Sequence, residues 1–541
     1  MNEFDTHEVF NQAPPFEGVN LFACDPALGE ALAREGAGWA APTLRALGEQ
    51  LGRPEILDLG RQANANPPRL ASFDRSGRRI DEVEFHPSWH ELMALMIGAG
   101  VHASPWDNGQ PGAQVARAAQ FLLFGQVENG AQCPVTMTYA SVPALRQAGA
   151  IADEWLPKIL SREYDPRPLP IGQKRGALIG MGMTEKQGGT DVRANTTRAT
   201  RGEGDTWRIV GHKWFFSAPQ SDAHLILAQA EDQGLSCFFV PRFLPDGSRN
   251  AIRVQRLKDK LGNRSNASSE VEFAGATGWL VGPIGRGIPT ILEMGSHTRL
   301  DCVIGSAGIM RAALTHALHH ARGRCAFGRK LAEQPLMQNV LADLALESEA
   351  ATVFALRLAR CFDHPGDPAE ALLARILTPA GKYWICKRGP GFCFEAMEVM
   401  GGNGYVEDGP LARFYREAPV NSIWEGSGNV MCLDLLRAFG KTPAARQALA
   451  AELALAGEAF APHAQRLLAE IDGGGADEYG ARGLAERIVV TVQAALLARH
   501  APPYVADAFV RSRLQNSVGG AYGRLPGGID CAGILARALV E

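Results

Sequence analysis

The sequence predicts an α+β chain, mainly α: a helical N-terminal domain with an inserted hairpin, a central antiparallel β barrel or sandwich, a helical bundle and an appended helical extension. Three observations predict it. Apolar residues recur at helical spacing in stretches such as "DPALGEALAREGAGWAAPTLRALGEQLG". Between residues 181 and 287 the pattern changes to short β-rich runs broken by Gly, Pro and Asp. After residue 288 helical spacing returns and continues through an alanine-rich tail.

The predicted boundaries are 1–180, 181–287, 288–440 and 441–541, because a chain of 541 residues exceeds what one hydrophobic core fills. Hydrophobic content of 46%, charged content of 21% and a formal charge of −4 describe an ordinary globular chain with no global attraction to nucleic acid or acidic membranes. The opening "MNEFDTHEVFNQ" lacks the basic start and apolar run of a secretion signal, and no apolar run reaches the ~18 residues of a membrane span. The ten cysteines include no Cys-x-x-Cys pair. A reduced, cytoplasmic setting is the expectation.

Within the first domain, "ASFDRSGRRIDEVEFHPSWHEL" predicts a hairpin turning at Ser76–Gly77, with alternation at Ile80, Val83 and Phe85. His86 and His90 flank Trp89 there without acidic or cysteine ligands and read as structural. In the β region "TWRIVGHKWFFSA", "AHLILAQA", "LSCFFVPRF" and "SSEVEFAGATGWLVG" read as strands. No strand–GxGxxG–helix unit is present, so a Rossmann dinucleotide site is not supported. In the helical bundle, His316, His319 and His320 of "HALHHARGR" read as a solvated face rather than a metal site. The extension carries ten basic and ten acidic residues. Only the cluster Arg511, Arg513 and Arg524 is locally basic, fitting either a phosphate surface or a solvated helix face.

Five motifs draw attention as a site. In "GMGMTEKQGGTDV" Gly188 and Gly189 let backbone approach a flat ligand, and Thr184 and Thr190 supply hydroxyls and N–H groups; a tight turn would use the same glycines. In "HKWFFSA" aromatics alternate up to Ser217, as in a cofactor wall or a core strand. In "RCAFGRK" Arg324 and Phe327 lie one helical turn apart, placing an arginine to meet a pyrophosphate or simply to end a helix. In "EVMGGNGY" Gly401, Gly402 and Gly404 either present amides to phosphate or cap a helix. In "NSIWEGSGN" Glu425 stands between an indole and small residues, with Ser427 or Asn429 able to cap the next helix.

In combination "MTEKQGGTD", "KWFFS", "RCAFG", "EVMGGNGY" and "IWEGSGN" resemble, in order and approximate spacing, the acyl-CoA dehydrogenase flavoproteins. "KRGALIGMGMTEKQGG", "DKLGNRSNAS" and "PVNSIWEGSGN", with the C-terminal extension, are similar to the branch tied to the bacterial adaptive response to DNA alkylation. The resemblance implies FAD. Met183, Thr184, Gly189, Thr190, Phe215, Phe216 and Ser217 would face the flavin ring, with Ile423 and Trp424. Arg324, Phe327, Gly401 and Gly402 would complete the FAD site of a neighbouring subunit, with Ser427 and Asn429 on its adenine and pyrophosphate side; Gly404 counts among the cofactor-binding residues as well. A homotetramer, as a dimer of dimers, follows. Glu398 and Pro335 stand where the family often has glutamine. Glu425 matches the α-proton base; the alternative is a structural pairing of Glu425 with Arg437, on the next helix, or with Arg299, which matches a family arginine near the active site. For the branch, the implied role is double-stranded DNA binding through the extension, limiting alkylation damage, with weak dehydrogenation of short branched acyl-CoAs such as isovaleryl-CoA. The alternative is a metabolic FAD-dependent acyl-CoA dehydrogenase.

Overall fold

The computed structural model describes residues 4, 6–473, 477–515 and 520–540; Glu541, the last acidic residue of the extension, lies outside them. Two compact units form: one of Asp58–Ala113 and Val127–Asp301, the other of Met1–Leu57, Gln114–Gln126 and Cys302–Glu541.

The first unit is built on a barrel. The predicted hairpin forms as β1 (Arg69–Phe73) and β2 (Arg79–Glu84), antiparallel. Its turn is closed by Asp74, whose carboxylate accepts from the N–H groups of Ser76 (2.8 Å) and Arg78 (2.9 Å). Seven further strands follow: β3 (Ile179–Gly182), β4 (Arg198–Arg201), β5 (Thr206–Ser217), β6 (Ala223–Ala230), β7 (Gly234–Pro241), β8 (Ile252–Leu257) and β9 (Ser268–Val281). The ring β4–β5–β9–β7–β6 closes on itself, since β6 pairs both β4 and β7. Trp207, Ile209, Phe216, Phe238 and Phe273 fill its interior, the inward set of alternating strands. Arg79 of the hairpin donates to Val254 O of β8 at 2.8 Å and so docks the insert on the barrel.

The expectation of a purely antiparallel sheet needs one correction. β3 and β4 both run parallel to β6, along the same edge. Gly182 pairs with Ile226 and Arg198 with Gln229. The chain from 183 to 197 therefore bulges out of what is otherwise one continuous strand, while β6 advances by only three positions.

The second unit is helical. Helices Pro335–Asp363 and Pro368–Val399 pack against each other, the latter started by Asp367, which accepts from Ala369 N at 2.8 Å. The extension packs into this unit through ion pairs, of which Arg357–Glu452 is buried. Arg357 bridges Glu370 and Glu452, each at 2.8 Å. Arg537 bridges Glu30 (2.6 Å) and Glu349 (2.9 Å). Among the described residues no helix is long and apolar enough to cross a membrane.

The histidine triplet is not a solvated face. His316 is largely buried, with its ring 5.4 Å from that of Phe16 and 6.1 Å from that of Phe414. His319 bonds Pro14 O at 2.9 Å and His320 is buried. The carrying helix, Gly287–Gly323, is covered on more sides than an exposed helix would be, which the alternation of Ala and His around its end does not reveal. His86 caps helix Pro87–Gly98, and His90 pairs with Tyr164 at 2.9 Å.

Burial, with Arg413 and His319 nearby, depresses the His316 pKa to about 3. The unfolded chain therefore binds a proton that the folded chain rejects between about pH 6.5 and 3. This contribution to stability is complete above pH 6.5 and is lost as the pH falls, by at most about 1.4 kcal/mol per pH unit. Urea midpoints of wild type and His316→Gln, compared between pH 7 and pH 5, should show a shallower acid loss in the variant.

Candidate active site

The bulge at 183–197 is held from inside. Glu185 is buried and accepts from Thr196 N (2.7 Å), Thr197 N (3.1 Å), Thr197 Oγ1 (2.6 Å) and Lys213 Nζ (2.9 Å). Burial alone would raise the Glu185 pKa; the Lys213 ammonium and these donors overcome it and hold the carboxyl well below the usual range. Lys213 is itself buried on β5, and burial lowers its pKa to about 8. A further bond from Asn195 to Met183 O (2.9 Å) and one from Trp214 N to Thr184 O (2.9 Å) fix Met183 and Thr184 beside β5. Gly189 must be glycine: a Cβ there would stand 2.3 Å from Thr184 Oγ1. Gly188, with φ +144°, faces open space, and Thr190 is exposed.

The aromatic run on β5 splits by alternation. Phe215 is 58% exposed, a large apolar ring facing outward next to the bulge. Lys258 Nζ lies 4.8 Å from its centroid and 3.3 Å from that of Trp214. Phe216 turns into the barrel core, 4.4 Å from the ring of His224, so its side chain cannot face a ligand outside. Ser217 is half-buried at the strand end.

In the helical unit the turn 421–429 carries Glu425. Its φ is +59°, in the left-handed region that costs a residue with a side chain about 1–3 kcal/mol. Gly426 follows at φ +105°. Lys382, 1% exposed on helix Pro368–Val399, donates to Trp424 O at 2.5 Å and to Gly426 O, the carbonyls on either side of Glu425. The indole of Trp424 is tethered by its Nε1–H to Asn421 (3.1 Å), and Asn421 in turn donates to Ser306 (3.1 Å). Nothing in the spacing of Lys382 from Glu425 announces this contact; the one available signal is a lysine in an otherwise apolar helical stretch, "TPAGKYWIC".

Beside this turn lies a cavity of about 340 Å³, lined among others by Lys387, Ile423, Ser427, Asn429 and Arg482. Ser427 occupies the N-cap position of helix Gly428–Lys441 but makes no capping hydrogen bond there. Asn429 does not cap either: its Oδ1 accepts from Arg482 Nε at 2.8 Å. Arg482 comes from the extension, so the extension reaches this cavity.

The motif at 324–330 departs from the expected helical turn. The helix ends at Gly323, and Cys325–Ala326 pairs with Arg329–Lys330 in a hairpin. Phe327 (φ +54°) and Gly328 (φ +77°) form its two-residue tip, both left-handed as a type I′ turn requires. Phe327 is 100% exposed, and Arg324 donates to Asn11 O at the hairpin base. Gly401 (φ +59°) and Gly402 face open space just after helix Pro368–Val399. Gly404 is buried, where a Cβ would stand 2.3 Å from Met397 O.

Arg299 is half-buried on helix Gly287–Gly323, in the barrel unit. Arg437 is exposed on helix Gly428–Lys441 and has no ion pair among the described residues, so a structural pairing with Glu425 is not formed. The basic cluster of the extension also breaks up. Arg513 pairs with Asp343 and with Glu347 (3.1 Å) in a largely buried network, leaving it no freedom to meet a phosphate. Arg511 pairs with Asp507 (3.2 Å) and bonds Gly527 O (2.7 Å). Arg524 alone of the three is exposed without an ion pair among the described residues. No group of three or more potential metal ligands is present among the described residues.

Comparison with known proteins bears on this arrangement. Residues 11–166 match the adaptive response protein AidB N-terminal domain, 180–276 the acyl-CoA dehydrogenase middle domain and 285–440 the acyl-CoA dehydrogenase C-terminal domain. The chain is 58% identical over 440 residues to the putative acyl-CoA dehydrogenase AidB of Escherichia coli, covering 81% of each. Among solved structures it is similar to Caenorhabditis elegans ACDH-11 in complex with C11-CoA: TM-score 0.85, 27% identity, 94% of this chain and 93% of that one. It is also similar to Bd2924 in its apo form: TM-score 0.83, 30% identity, 91% of this chain and 100% of that one.

The two phenylalanines of β5 separate a candidate flavin contact from the core. Phe215→Ala should lower the FAD retained on purification while leaving the urea midpoint nearly unchanged. Phe216→Ala should cost about 3–5 kcal/mol of stability by emptying the barrel core. Absorbance at the flavin band and urea denaturation of both variants check the contrast.

Proposed function

The chain belongs to the acyl-CoA dehydrogenase family, and on that premise we propose that it is an FAD-holding protein of the adaptive response to DNA alkylation. In this reading it binds double-stranded DNA and limits alkylation damage from the cytoplasm. Its flavin site keeps the base of an acyl-CoA dehydrogenase. The observation that carries the reading is the match to the AidB N-terminal domain combined with 58% identity to the Escherichia coli protein.

FAD is the cofactor this membership brings, and the residues fit it. The outward Phe215, the open backbone at Gly188 and the exposed Thr190 form a shelf for a flat ring beside Met183 and Thr184. Lys387 and Arg482, in the cavity with Ser427 and Asn429, supply cations for a pyrophosphate. Phe327 and the open Gly401–Gly402 backbone suit a neighbouring subunit's site, which makes a homotetramer, a dimer of dimers, part of the proposal. Bound FAD supplies the two-electron acceptor for the β-hydrogen of a thioester. The chain's own part is the α-proton: the Glu425 carboxylate takes it, Trp424 walls the base on one side, and Arg299 matches a family arginine of the active site.

DNA binding needs cations that are not already spent on carboxylates. Of the ten basic residues of the extension, Arg446, Arg487, Arg499, Arg511, Arg513 and Arg537 are ion-paired and Arg482 is hydrogen-bonded to Asn429. Lys441, Arg466 and Arg524 remain, with Arg437 just before the extension. The second reading is a metabolic dehydrogenase; the left-handed φ of Glu425, where glycine would be unstrained, supports its role as base in either reading.

Two measurements decide. With about four phosphates neutralised per protomer, log affinity for duplex DNA should fall with log salt at a slope near −3 to −4 per engaged protomer. Arg466→Glu with Arg524→Glu should reduce that slope and leave FAD content unchanged. No DNA binding at low salt, with rapid anaerobic bleaching of the flavin by an acyl-CoA, would put the metabolic reading first. Glu425→Gln should keep FAD and abolish bleaching by isovaleryl-CoA; bleaching at the wild-type rate would remove Glu425 as the base.

A further inference from the structure

We propose that Lys382 is the positioning residue of the candidate base: it sets where the Glu425 carboxylate stands by holding the two peptide carbonyls on either side of it. The inference rests on the reading of Glu425 as the α-proton base. The Lys382 ammonium is 1% exposed, and its partners are Trp424 O (2.5 Å) and Gly426 O. No carboxylate pairs with it among the described residues. A buried cation is costly unless it is fully satisfied. A fold that needed only to fill this space would place an apolar side chain there.

The geometry says what the cation does. Two carbonyls that flank one residue converge on a single nitrogen. That convergence fixes the 424–425 peptide, directly before Glu425, and the 426–427 peptide, one residue beyond it, so the Glu425 backbone is held between two anchored planes and the direction of its Cα–Cβ bond is restricted. Glu425 sits at φ +59° and Gly426 at φ +105°. Relaxing the φ of Glu425 means turning the 424–425 peptide against the segment that carries Gly426 O, and the turn would draw one of the two oxygens off the ammonium. The lysine is thus the counterweight to the strain. Its helix also supplies Lys387 to the neighbouring cavity, so the base and the cavity wall share one rigid support.

The test separates proton removal from everything else. Holoprotein is incubated anaerobically with isovaleryl-CoA in D₂O, and exchange of the α-hydrogen is followed by mass spectrometry. FAD content and acyl-CoA binding, from perturbation of the flavin spectrum, are measured alongside. Lys382→Met should retain FAD and bind acyl-CoA within about twofold of wild type, yet lose α-exchange by about 10²-fold, the penalty of a base displaced by about an ångström. In the apoprotein of the same variant, amide hydrogen exchange of the 423–427 turn should accelerate. Lys382→Gln, which keeps an amide NH₂ as donor but not the charge, should lose exchange less, and it carries the test if the methionine variant fails to fold. Undiminished α-exchange in the folded lysine variants overturns the role of Lys382. So does a loss of exchange that merely tracks lost FAD or lost acyl-CoA binding. Wild-type α-exchange in Glu425→Gln overturns the reading of the base itself, and the two failures are thereby distinguished.

Discussion

The constraint on which this structure turns is that a charge taken out of water must be met by partners inside the protein. Lys213 and Lys382 are both essentially fully buried, one in each unit, and each serves a loop that carries candidate site residues. Lys213 meets a carboxylate, Glu185, which gathers the two ends of the bulge at 183–197. Lys382 meets two carbonyls and holds the turn at 424–426. In both cases the charge is what makes an irregular backbone single-valued, since loosening the loop would strand the ammonium.

Irregularity is also where the chemistry gathers. The barrel itself is regular, with alternating side chains and a filled interior. The candidate flavin contacts lie where β3 and β4 leave the edge of β6, and the candidate base lies where the backbone enters the left-handed region. A regular strand shows a ligand only every second side chain and no free amides. An excursion anchored at both ends presents backbone N–H groups, hydroxyls and bare glycine surface together. The rigid elements beneath, β5 and helix Pro368–Val399, supply the anchors.

The extension behaves as part of the helical unit. Arg357 with Glu452, Arg513 with Asp343 and Glu347, and Arg537 with Glu30 and Glu349 stitch it to helices that precede it in the chain. Breaking a buried pair such as Arg357–Glu452 from one side typically costs about 3–5 kcal/mol. Cations committed in this way are structural first. A balanced composition of ten against ten conceals that most of the basic residues are already used, and those left exposed are scattered along the segment rather than clustered near its end.

The sequence by itself determined the succession of helical and β regions, the hairpin at 69–84, and the motifs that identify the family. These depend on periodicity and turn chemistry, which act over a few residues and are visible in one dimension. It also marked Glu425 by its neighbours. Tertiary structure alone decided the rest. Phe215 and Phe216 are indistinguishable in the chain, and the pleat of β5 sends one outward and the other into the core. Arg513 reads as a surface cation until helix Pro335–Asp363 brings Asp343 and Glu347 against it. The 324–330 segment reads as a helical turn until two residue pairs close a hairpin around a left-handed tip. Lys382 lies more than forty residues from the carbonyls it holds. Which partner satisfies a buried charge, and which face of a strand meets solvent, are set by contacts between segments distant in sequence, and no local pattern encodes them.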